Sequence, residues 1–251
     1  MTATFLTKIV IAAFVLIILV LITGKRILHY KIYLAVFLIV FFADNFLMVF
    51  TIQYRSLQLI PVHTWEGFLI CNWSGKLYSI IFTLTLLYFT RKMLTWDEIG
   101  LTLHQKMGSL LPSAILILFL AGWATLVGVS SPKGGFDAKT LVYLAIMPAL
   151  NEELVYRGCL LGILDRLMPA RVNLLGAWIG WGAFVTAILF SLLHGFWFNN
   201  NLSIHFDVIA LRNSFISGFV FAWLRERTGS LVMPVFAHGV EDFLFFLPRM
   251  V

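Results

Sequence analysis

The chain has 251 residues, 61% of them hydrophobic and 12% charged, with a formal net charge of +6 and a mean hydropathy of +0.94. A soluble domain runs at about 45–50% apolar and about 25% charged, so this chain has too little polar surface to coat a globule in water, which excludes a soluble enzyme and a disordered protein. Its basic residues stand in short clusters between apolar runs, the pattern of membrane topology rather than of a phosphate-binding face, and this excludes a nucleic-acid partner.

At about 20 apolar residues per span, a chain of this length holds about eight transmembrane helices. The first is expected over residues 9–23, between Lys8 and the stop formed by Lys25 and Arg26. No small-x-small cleavage site follows it, so it reads as a retained span rather than a signal peptide. The second is expected over 32–50 and the third over 69–90, with an apolar core over 77–89. Residues 93–108 mix Trp96, Asp97, Glu98, His104 and Lys106 with apolar side chains. That segment is too polar to span and is expected to lie at the interface as an amphipathic stretch. The fourth span is expected over 110–129 and is followed by a turn-rich loop, Ser130 to Gly135. The last four are expected over 140–164, 174–196, 206–224 and 231–248. The fold class is therefore an all-α, polytopic transmembrane bundle, with residues 1–130 as an N-terminal helical region and 140–248 as the functional core. Alternate loops carry ten Lys or Arg against about seven on the other side, a bias that favours both termini outside the cytoplasm. Trp65, Trp73, Trp96, Trp197 and Trp223 fall near span ends, where interface anchors sit. Cys71 and Cys159 lie in apolar surroundings and read as small buried hydrophobes.

Most charges punctuate the spans, and the few inside them are costly and mark function. The fifth span contains Asn151-Glu152-Glu153 followed by Arg157. Glu153 and Arg157, four apart, share a helix face and can form an ion pair. Glu152 points about 100° away and has no partner on its own helix, which suits a general base or acid. The sixth span places Phe190 and His194 four apart, and the eighth places His238 and Asp242 four apart. Asp242 is thus positioned to accept from the imidazole and fix its tautomer. Asp44, inside the second span, reads as an interhelical hydrogen-bond partner. One geometric tension stands out. His194 ends its span and His238 begins its own, so full-length parallel spans would leave the two at different depths.

The ordered trio Glu-Glu-x-x-x-Arg, Phe-x-x-x-His and His-x-x-x-Asp on successive apolar segments resembles the CPBP family, the CAAX protease and bacteriocin-processing (Abi) intramembrane proteases. The resemblance covers about residues 140–248, and Asp242 stands where the family commonly has asparagine. It implies a peptidase in which Glu152 and His194 activate a water. His238 and Asp242 would then stabilise or position the carbonyl, while Glu153, Arg157 and Phe190 support the site. It also implies a membrane setting, expected to be the bacterial cell membrane, and a peptide or protein substrate. No cofactor is expected, the alternative being zinc held by Glu152, His194 and His238 with an open position. The alternative function is a non-catalytic scaffold or bacteriocin immunity protein of the same fold. His-Glu-x-x-His, Gly-x-Gly-Asp and Gly-x-Ser-x-Gly do not occur, so other intramembrane protease classes find no support in the sequence.

Overall fold

A computed structural model describes residues 2–251, with the side chains of Thr2, Lys25, Arg26 and Leu28 excepted. The share of the charge bias that rests on Lys25 and Arg26 therefore lies outside the described residues. The helices are α1 (Thr2–Thr23), α2 (Lys31–Gln53), α3 (Trp73–Thr90), α4 (Leu110–Val129), α5 (Ala138–Glu152), α6 (Leu161–Leu167), α7 (Trp181–Gly195), α8 (Val208–Thr228) and α9 (Val232–Phe246). A π-helical stretch, Glu153–Leu160, joins α5 to α6, so the described residues form eight rods. Of these, α1, α2, α4 and α8 are long and apolar enough to cross a membrane unaided. The chain is a helical integral membrane protein.

Local chemistry sets the helix ends. Asn72 caps α3 by accepting from the Gly75 N–H at 2.9 Å, and Asp207 caps α8 by accepting from the Ala210 N–H at 2.9 Å. Gly229 ends α8 in the left-handed region, at φ +76°, where a β-carbon is disfavoured.

Loop contacts show how the rods run. At one end, the Leu231 N–H reaches the Gly100 carbonyl at 2.8 Å and the Lys106 N–H reaches the Thr228 carbonyl at 2.9 Å. Arg171 bridges Asp165 and Glu226 there, each at 3.0 Å. At the other end, the Gly134 N–H reaches the Arg249 carbonyl at 2.8 Å, and the Phe198 N–H reaches the Thr7 hydroxyl at 3.0 Å. Successive rods thus alternate in direction.

Three expectations need correction. Residues 69–72 do not open the third span: the strands β1 (His63–Trp65) and β2 (Leu69–Cys71) form an antiparallel hairpin before it. Residues 174–180 do not open the sixth, because β3 (Arg171–Leu174) and β4 (Ala177–Gly180) form another. Its turn, Leu175-Gly176, has positive φ at both residues, 53° and 84°, as a tight two-residue hairpin turn needs. Residues 93–108, between the third and fourth rods, are a turn-rich segment docked on the α8–α9 junction. Trp65 and Trp223 are not interface anchors but buried side chains, and Trp223 donates to the Leu174 carbonyl at 2.9 Å. A third hairpin, β5 (Phe196–Phe198) with β6 (Ile204–Phe206), follows α7.

The shortened α7 resolves the depth problem. Its 15 residues extend about 22 Å, less than the hydrocarbon thickness of about 30 Å. Phe190, near its C-terminal end, packs against both His194 and His238.

Asp137, outside the spans, caps α5 and bridges back to the first hairpin through His63. Burial alone would raise its carboxyl, but the His63 ring, the Thr140 hydroxyl and the Lys139 N–H hold it down at about 2. A carboxylate held below its ordinary 3.8 stabilises the fold fully above that value and loses the contribution as pH falls through about 2. Asp137→Asn is expected to lower the Tm at pH 7 by up to about 4 °C. The gap from wild type should close in thermal melts as the pH approaches 2.

Candidate active site

The site is built where the fifth rod changes pitch. Pro148 lacks an N–H to donate within α5, and the helix widens into the π-helical turn five residues later. Such insertions recur at functional sites because they turn adjacent side chains toward different neighbours. Here Glu152 faces α3 while Glu153 faces α9.

Glu153 and Arg157 are both fully buried. They pair at 3.0 Å, as the spacing predicts. The structure adds a third member from α9: the Nδ1 of His238 lies 2.8 Å from the same Glu153 oxygen. Arg157 also donates to the Gly218 carbonyl at 3.2 Å, and its guanidinium sits 4.4 Å over Phe190 and 5.1 Å over Phe221. Phe221 in turn stacks on the His238 ring at 4.9 Å and 15°. These aromatic faces support the buried cation.

Two expectations are corrected. Asp242 does not hold the His238 tautomer by a hydrogen bond: its oxygen is 3.6 Å from Nε2, whereas Glu153 on another helix is closer. Glu152 is not without a partner, because Lys76 of α3 pairs with it at 2.6 Å. Spacing along one helix could not show either contact, since both partners come from other rods.

His194 is fixed by its own helix. Its Nδ1 lies 2.7 Å from the Phe190 carbonyl, which can only accept, so Nδ1 carries the proton. That leaves the Nε2 lone pair unused. The Phe190 ring packs 4.4 Å from His194 and 6.0 Å from His238, and so brings the two histidines to a common depth.

These side chains surround a cavity of about 500 Å³ whose lining includes Lys76, Glu152, His194, His238, Glu241 and Asp242. Glu153 and Arg157 stand behind it. Asp44 supports the same corner: it accepts from Ser79 at 2.6 Å and from Asn151 at 3.2 Å, the interhelical bonding expected of it. Gly239, beside His238, lets α9 approach α5 closely, as a β-carbon there would lie 2.3 Å from the Ala145 carbonyl.

Sequence reasoning missed Lys76 and Glu241. Lys76 carried a usable signal. Asn72, Lys76, Ser79 and Thr83 are all buried and recur at helical spacing, a polar stripe in an apolar span. Glu241 bonds to the Ser217 hydroxyl of α8, a contact no local pattern reveals. Among the described residues no group of three His, Cys, Asp or Glu converges to hold a metal ion.

Residues 135–244 match the family model described as type II CAAX prenyl endopeptidase Rce1-like. An Escherichia coli protein described as an uncharacterized 24.3 kDa protein is 29% identical over 100 residues. The match covers 39% of this chain and 39% of that relative. No solved structure matches the chain.

Proposed function

From the match of residues 135–244 to the family model of Rce1-like CAAX prenyl endopeptidases, we propose that the chain is an intramembrane endopeptidase that hydrolyses a peptide bond with a water activated by Glu152 and His194. One observation carries this reading: Glu152 and His194 line the same cavity, and the bond from His194 Nδ1 to Phe190 leaves Nε2 as a base.

In this mechanism Glu152 takes a proton from water as the oxygen attacks the scissile carbonyl carbon, with Nε2 of His194 accepting the water's second hydrogen bond. The developing oxyanion is stabilised from the α9 side. His238 lies between two carboxylates, Glu153 at 2.8 Å and Asp242 at 3.6 Å, and serves here as the doubly protonated ring. Its Nδ1–H donates to Glu153 and its Nε2–H is available to the oxyanion. Collapse of the tetrahedral intermediate breaks the C–N bond, and the proton held by Glu152 passes to the departing amine. Glu153 and Arg157 keep His238 in place. No step needs a metal.

The substrate class follows the family: a membrane-anchored peptide, with a prenylated CAAX-type tail as the first to try. A bacterial cell membrane is the proposed location. The test is purified full-length protein in proteoliposomes with a farnesylated CAAX peptide, products read by mass spectrometry. A released C-terminal tripeptide is expected. No cleavage of this peptide, nor of bacteriocin-leader or sorting-signal peptides, would favour a scaffold or immunity role instead.

A further inference from the structure

The family-matched segment, residues 135–244, does not contain every charged group in the cavity. Lys76 enters from α3, in the N-terminal half. Its ammonium lies 2.6 Å from Oε1 of Glu152, and the ion pair is nearly closed to solvent, with 9% of the Lys76 side chain and 15% of the Glu152 side chain exposed. Resting on the reading above, we propose that Lys76 is a positioning residue for hydrolysis, fixing the Glu152 carboxylate in the orientation from which it takes the proton of the attacking water.

Three features support this role. Oε1 is occupied by Lys76, and Glu152 makes no other side-chain hydrogen bond among the described residues, so Oε2 is left for water. The support is itself anchored. Asn72, one turn before Lys76, bonds to the Met48 carbonyl at 2.9 Å and to the Thr51 hydroxyl at 2.8 Å. Ser79, nearly one turn after it, donates to Asp44 at 2.6 Å. Asn151, next to Glu152 in the chain, donates to Ser79 at 2.9 Å and so ties α5 to the same stripe. Finally, Arg157 and Lys76 divide the two adjacent glutamates between them, so neither carboxylate is left to compete for the other's partner. The N-terminal helices thereby complete a site whose motifs all lie elsewhere.

The experiment compares Lys76→Met, Lys76→Arg and Asn72→Ala in proteoliposomes, using whichever peptide the wild-type protein cleaves. Turnover is normalised to folded protein. Lys76→Met is expected to lose about 10- to 100-fold in kcat with little change in KM. Lys76→Arg should recover part of the rate. Asn72→Ala, on the same stripe but not touching Glu152, should lower stability alone. Wild-type kcat in Lys76→Met would overturn the proposal. So would an equal loss in Asn72→Ala, because the stripe would then be structural only. Either result leaves the hydrolysis reading standing so long as Glu152 variants are inactive, whereas active Glu152 variants would remove that reading itself.

Discussion

Replacement of Arg157 by methionine is expected to destabilise the protein by about 3–5 kcal/mol, the largest effect on folding of any single change in the site. Arg157 and Glu153 are wholly buried, and their contact is 3.0 Å. Removing the guanidinium leaves a carboxylate in an apolar interior with only His238 beside it. It also empties a space that Phe190 and Phe221 now fill against a flat cation. Replacing both members, as Glu153→Gln with Arg157→Met, should cost less than the Arg157 change alone, since no bare charge then remains. Thermal or denaturant unfolding in detergent measures this. An Arg157→Met protein as stable as wild type would mean that the buried pair is not the keystone described here.

The second large effect is catalytic. His194→Ala is expected to reduce kcat by about 10²–10⁴-fold, the range for loss of a positioned acid–base group. Stability should change little, because among the described residues His194 makes only one side-chain hydrogen bond, to its own helix. If Glu152 and His194 act on one water, their losses will not add. The double variant Glu152→Gln with His194→Ala should be about as slow as either single variant. Strictly multiplicative losses would mean that the two residues serve separate steps.

Much of this architecture is legible in the sequence because a membrane leaves charge few places to go. The eight apolar runs place the rods within a few residues, and the exceptions share a cause. The hairpins at 63–71 and 171–180 are rich in Trp, Leu and Ile, so they are as apolar as the spans they adjoin. Hydropathy cannot separate them from helix. Residues 93–108, too polar to span, form turns that dock through backbone groups such as the Gly100 carbonyl.

The same division runs through the site. Spacing of four along one helix reveals Glu153 with Arg157 and Phe190 with His194, and both pairs touch. Spacing is silent on contacts between rods, which is why Glu152 seemed unpartnered and Asp242 seemed the natural support for His238. Lys76 and Glu153 take those roles from helices that are distant in sequence. Of the misses, only Lys76 stood in a readable pattern, the polar stripe of α3.

The most direct test of the central claim is turnover by Glu152→Gln beside wild type, on the same peptide and at equal amounts of folded protein. Glutamine keeps the shape of the side chain and removes its basicity. A fall of about 10²–10⁴-fold in kcat with substrate binding preserved is the predicted result. Cleavage at the wild-type rate would contradict the account.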